Sequence, residues 1–163
     1  RIRPLDPHPD DLFIEDIAHA LSNQCRFTGH VRKFYSVAEH SVHCADLVPA
    51  ELALTALLHD ASEAYLADLA RPLKHARGLG DVYREYEGRL ERTIAERYGL
   101  VYPFPDSVRE ADNLMLTAEI HALMPQGLRE RWPVPDGALL PDVLCWPPEF
   151  AYRMFMEVYA EVA

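Results

Sequence analysis

Apolar residues recur every three or four positions along most of this chain and almost nowhere every two. That period belongs to the α-helix, because a half-buried strand would alternate. Leu12–Leu21 sets Phe13, Ile14, Ile17, Ala18 and Leu21 on one face, with Asp10 or Asp11 as the N-cap. Residues 22–35 lose the period and read as a loop carrying Arg26, Phe27, Gly29 and His30. Ser36 opens a helix through Val48, and Glu39 three residues on completes a capping box. Pro49 ends that helix and starts the next, Ala50–Tyr65, followed by a turn around Asp68–Lys74 that contains Pro72. Gly80 or Asp81 starts a long helix to Tyr98, with Val82, Tyr83, Tyr86, Leu90, Ile94 and Ala95 inward and Gly99 as the stop. Pro105-Asp106-Ser107 opens a helix to Met124, and Val108, Ala111, Leu114, Met115 and Ala118 keep its period. Four prolines and two glycines make residues 125–146 irregular. Pro147-Pro148 begins a last helix to Val162. Residues 1–9 read as an arm or edge strand. The pattern predicts an all-α single domain over 1–163, a bundle of about six helices. Its core lies within 12–124, and the Pro-rich segment and C-terminal helix, 125–163, are appended.

Composition narrows the function. Apolar residues are 49% of 163, enough for one packed core and too many for a disordered chain. Acidic residues outnumber basic ones 26 to 16, a net charge of −10. That excludes a protein that wraps a nucleic-acid polymer, though one small anion can still be held by a metal and a few local cations. No apolar run is long enough to span a membrane. No leader is visible, although the chain opens at Arg1 rather than Met. Cys25, Cys44 and Cys145 form no CxxC pair and read as reduced thiols of a cytoplasmic protein.

The chemistry concentrates where the oily run Leu52–Leu58 ends in His59 and Asp60, with Glu63 and Asp68 close behind. Burying an unpaired charge costs several kcal/mol, and a divalent cation removes that cost. A cation wants donors from separate helices, since one helix rarely aims more than two side chains at a point. His40 and Asp112 sit on two other helical segments. His40, His59, Asp60 and Asp112 make a two-His, two-carboxylate set that suits Zn, Co or Mn, with Mg possible, better than Ca. His40 with His43, one turn apart, is a rival pair, but it leaves His59 and Asp60 without a partner. Glu119, two turns past Asp112, reads as a surface residue or at most a supporting one.

His40, then His59-Asp60, then Asp112 resembles the H…HD…D signature of the HD-domain metal-dependent phosphohydrolases. The stretch His59 to Lys74 is similar to the HDxxE-x4-D-x5-K segment of the YfbR-like 5′-nucleotidases. Arg26-Phe27 followed by Glu39-His40-Ser41 resembles their Arg-aromatic…EHS segment. Cys25–His30 and Phe34–Val37 resemble the small YfdR-like proteins and the DatZ-like dATP triphosphohydrolases of phages. The likeness covers roughly residues 12–120 and leaves out the Pro-rich tail after Pro125.

The resemblance implies an HD-domain helical bundle around a metal and hydrolysis of a phosphate ester on a deoxynucleotide. By that resemblance His40, His59, Asp60 and Asp112 are the metal ligands. Glu63 positions or deprotonates the attacking water, and Asp68 acts as acid to the leaving oxygen. Arg26 and Lys74 hold phosphate oxygens, and Phe27 stands where the YfbR-like enzymes carry Trp against the sugar. That departure leaves the 2′-deoxy preference open. The expected reaction is release of phosphate from deoxynucleoside 5′-monophosphates. The alternatives are dNTP triphosphohydrolysis and a non-catalytic nucleotide-binding metalloprotein. A homo-oligomer, dimer or larger, is expected from the same resemblance.

Overall fold

A computed structural model describes residues 2–163, so Arg1 of the expected N-terminal arm lies outside the described residues. The described residues form nine α-helices and no strand, with one isolated bridge between Cys25 and Ser36. The helices are α1 (Ile14–Asn23), α2 (Val37–Asp46), α3 (Ala53–Leu57), α4 (Glu63–Leu66) and α5 (Arg71–Lys74). There follow α6 (Leu79–Tyr98), α7 (Asp106–Leu123), α8 (Gln126–Arg129) and α9 (Pro148–Val162). Four of the nine are single turns or little more, which is why the period suggested fewer.

Helix α2 is the axis of the molecule. Every residue from Val37 to Val42 is buried, and α1, α3, α7 and α9 pack around it. Ile17 and Leu21 of α1, Leu57, Leu90 and Ile94 of α6 and Phe155 of α9 close the core, all 2% exposed or less. Each such side chain contributes roughly 1.5–3 kcal/mol of burial.

Several boundaries depart from the pattern. Residues 2–8 contain no strand, and Asp10 and Asp11 fall in a 3-10 turn, Pro9–Asp11. Helix α1 therefore starts at Ile14 behind an extended Phe13, which caps with no side chain and is 50% exposed. Val82 is also exposed, while Glu87 takes a buried place on α6. Gly80 has a second role: a Cβ there would come within 2.8 Å of the Leu73 carbonyl oxygen and closer still to that of Lys74, so only glycine lets α5 approach α6. Gly99 ends α6 in the left-handed conformation, φ 67°.

The expected helix Ala50–Tyr65 does not run through. It divides into a 3-10 turn (Ala50–Leu52), α3, a set of tight turns at 58–62, and α4. Leu58 carbonyl to Ala61 N–H at 3.1 Å and Asp60 carbonyl to Glu63 N–H at 3.0 Å are the shorter-ring bonds of that break. His59 and Asp60 both lie in that break.

Candidate metal centre

Ser36 caps α2 with its hydroxyl accepting the Glu39 N–H at 3.0 Å, which orients His40 one residue later. His40 is fully buried and its Nε2 is the hub of the site. Nε2 of His59 lies 3.4 Å from it, Oδ2 of Asp60 3.6 Å and Oδ1 of Asp112 3.3 Å. His59 Nε2 and Asp60 Oδ1 are 3.4 Å apart. Donors about 2.1 Å from one tetrahedral ion would be about 3.4 Å from each other. Four of the six pairs among these side chains lie at 3.3–3.6 Å, near that spacing.

The tautomers favour the same reading. His59 Nδ1–H donates to the Ala56 carbonyl at 2.7 Å, and a carbonyl can only accept. His40 Nδ1 lies 2.6 Å from Glu119 Oε1. Both rings thus spend Nδ1–H on a fixed acceptor and turn Nε2 to the centre, the nitrogen that a ligating histidine would offer. Cys44, one turn after His40 on α2, sets its Sγ 3.5 Å from the same Nε2. His40, Cys44 and His59 form a buried group whose ligand atoms all lie within 4.8 Å of one another, and it could hold a metal ion. Burial pushes the Cys44 thiol up. His43 sits elsewhere, 3.6 Å from Glu39 and stacked near Trp146.

Glu119 is not on the surface. It is wholly buried and accepts from His40 Nδ1 and, at 3.1 Å, from Arg26 Nε. Burial alone would raise its pKa; Arg26 and His40 outweigh that and hold the carboxyl below its usual range. Burial and Arg26 push His40 toward neutrality, but Cys44, Glu119 and Asp112 outweigh them and raise it well above the ordinary imidazole value. Asp60 and Asp112 are each raised by burial and pulled below the usual range by the two histidines, chiefly His59 for Asp60 and His40 for Asp112.

Arg26 is likewise not a free cation. It is 8% exposed, and Glu119 and Asp60 Oδ2, 3.4 Å from Nη1, already face its guanidinium. Phe27 and Thr28 follow it in left-handed conformation, φ 56° and 54°. Ala67, just before Asp68, is at φ 65°, ψ 156°, a region that belongs to glycine. Such strain costs on the order of 1–3 kcal/mol per residue and gathers at sites that over-determine the backbone. Here the Tyr83 hydroxyl holds the Ala67 carbonyl at 2.7 Å. Lys74 Nζ is 2.6 Å from Glu87 Oε1, a partner the residue pattern did not suggest.

Above the donors opens a cavity of about 620 Å³, within the size range of small-molecule sites. Asp60, Glu63, Asp68 and Asp112 line it, as do Arg26, Phe27 and Lys74. Glu63 is 7% exposed, and its buried Oε2 has no hydrogen-bond partner. Burial first, then Asp60 and Asp68, push its carboxyl well above the usual range. Burial also raises Asp68, against the pull of Arg26. Gln24 joins the two: its Nε2 donates to the Glu63 carbonyl at 3.0 Å and its Oε1 accepts the Asp68 N–H at 3.3 Å. Gln24 carried no sequence signal, because an amide in a loop gives none. Arg71 and Trp132 also line the cavity and were not singled out by the pattern.

The fold and this donor cluster define a class: an all-helical protein with a buried candidate metal site at the floor of a cavity. Comparison with known proteins is more particular. The chain is 44% identical over 159 residues to the uncharacterized protein YfdR of Escherichia coli (strain K12), covering 94% of this chain and 86% of that one. It is 39% identical over 120 residues to an uncharacterized protein of Rhodobacter capsulatus, covering 68% of this chain and 60% of that one. The chain belongs to the family of YfdR. No family model matches it.

Proposed function

We propose that the protein is a metal-dependent phosphohydrolase of HD-domain type that releases phosphate from deoxynucleoside 5′-monophosphates. One observation carries this reading. His59, Asp60 and Asp112, from two other stretches of chain, each bring a donor atom within 3.3–3.6 Å of His40 Nε2, below a cavity into which a buried carboxylate brings an unpartnered oxygen. His40, His59, Asp60 and Asp112 would hold a divalent transition ion such as Zn, Co or Mn. The ion, when bound, would acidify a water and neutralise the phosphate.

The chain's own groups do the rest. Glu63 takes the water's proton at the free Oε2, and Asp68, whose carboxyl burial pushes up, gives one to the leaving 5′-oxygen. Glu119 fixes His40 and Arg26 together, and Arg26 in turn steadies Asp60. Arg26 and Lys74 reach the cavity with their charge already countered by Glu119, Asp60 and Glu87. Among the described residues Arg71 is the arginine or lysine of the lining with no ion pair. So little unspent positive charge favours a monophosphate over a triphosphate.

The test is phosphate release from dNMPs and dNTPs with Mn, Co, Zn and Mg, with products separated by chromatography. Nucleoside plus phosphate from dNMPs is the expected result, with Glu63→Ala slowing turnover at least 100-fold, the scale of general acid–base catalysis. No release with any metal would overturn the reading, as would an Asp60→Ala protein that binds metal stoichiometrically with undiminished affinity.

A further inference from the structure

We propose that Trp132 and the face of α7 beyond Asp112 form the seat of the substrate's nucleobase. This rests on the nucleotide reading above. Asp112 belongs to the donor cluster; Leu116 and Ile120 follow it at i+4 and i+8 and line the same cavity. At 1.5 Å rise per residue they stand about 6 and 12 Å from Asp112 along the helix axis. That apolar wall is useless to a cation or a phosphate, which meet their partners at the acidic end. A nucleotide carries its base one sugar beyond the phosphate, and α7 carries Leu116 and Ile120 away from the metal site along the cavity.

Trp132 comes to this wall from the Pro-rich segment, far from Asp112 in sequence. Both of its polar ends are bound to α7. The indole Nε1–H donates to Thr117 Oγ1 at 3.3 Å, and His121 Nε2 donates to the Trp132 carbonyl at 2.8 Å. The α8 turn steadies it further, with the Trp132 N–H donating to the Arg129 carbonyl at 3.0 Å. With its polar edge satisfied, what the ring has left to offer is its faces. It is 39% exposed, and among the described residues no other aromatic ring or cation lies against it. A flat, oriented, unstacked ring in a cavity is a platform for another flat ring. Stacking of this kind tolerates any base, so the platform supplies affinity rather than base choice.

The experiment is calorimetric binding to the metal-free protein of a deoxynucleoside, of its 5′-monophosphate, and of deoxyribose 5-phosphate, which lacks a base. Trp132→Ala should weaken the first two roughly 5- to 100-fold, the range that stacked bases lose on alanine substitution. Trp132→Phe, which keeps an aromatic face, should restore most of the loss. The sugar phosphate should bind the Ala variant as it binds the parent. Circular dichroism and the melting temperature establish that both variants fold. Equal weakening of all three ligands, no weakening, or no nucleoside binding by the parent would overturn the proposal. If no phosphate release is found with any metal, the catalytic reading fails on its own, and the binding series still decides the base seat.

Discussion

Glu119 is the residue on which the site turns. A buried carboxylate between an imidazole and a guanidinium makes two charge-assisted bonds at once. Breaking a buried pair by removing one partner costs about 3–5 kcal/mol, and the retained amide oxygen of Gln offsets part of it. Glu119→Gln should therefore lower stability by about 2–3 kcal/mol at pH 7 in chemical denaturation. The pH dependence has a definite sign. The folded carboxyl titrates below its usual value, so its stabilisation is complete above the ordinary glutamate range and is lost as pH falls through the folded value. The gap between parent and variant should stay constant near neutrality and close on acidification. A gap that widens in acid would contradict this. Ala67 offers a simpler check. Its backbone lies where glycine alone is at ease, so Ala67→Gly should raise stability by about 1 kcal/mol, after allowing for the extra freedom glycine gains when unfolded.

At the scale of elements, Glu39 shows how the last part of the chain is held. The capping box expected from Ser36 and Glu39 is only half made. Ser36 does its share, but the Glu39 side chain turns away and accepts the backbone N–H groups of Leu144 and Cys145 at 2.8 Å each and of Trp146 at 2.6 Å. One wholly buried carboxylate thus clasps the irregular segment to α2 just before α9 begins. Glu39→Gln would turn one acceptor into a donor facing a donor. Loss of about 3 kcal/mol is expected, since bonds to a charged group contribute about 1.5–3 kcal/mol each. Limited proteolysis should then cut near residues 140–147 well before it cuts the parent there. At the same scale, His59 and Asp60 lie in the turns between α3 and α4, and both approach His40 Nε2, at 3.4 and 3.6 Å.

For the whole molecule, an ion held between α2, the 58–62 turns and α7 would tie three parts of the core together. Ligand at 100 times its dissociation constant adds about 2.7 kcal/mol. At about 2–4 °C per kcal/mol for a chain of this size, Zn or Co should raise the melting temperature by roughly 5–10 °C, and a chelator should reverse it. The gain should shrink as pH falls, because the ion must displace the proton that His40 holds so firmly. A scan without any metal-dependent shift would count against the site. The sequence by itself determined the helical class, the ends of α6 and α7, and the start of α9, because period, Gly99, Pro105 and Pro147 act locally. It also singled out His40, His59, Asp60 and Asp112 by residue type and by the cost of burying them. Only the tertiary structure decided that Glu119 is buried, that Arg26 and Lys74 already have partners, that Gln24 ties the Glu63 and Asp68 backbone, and that Trp132 belongs to the cavity. The reason is physical. Helix period is written between neighbours three or four residues apart, whereas a carboxylate's burial depends on what arrives from 79 or 93 residues away.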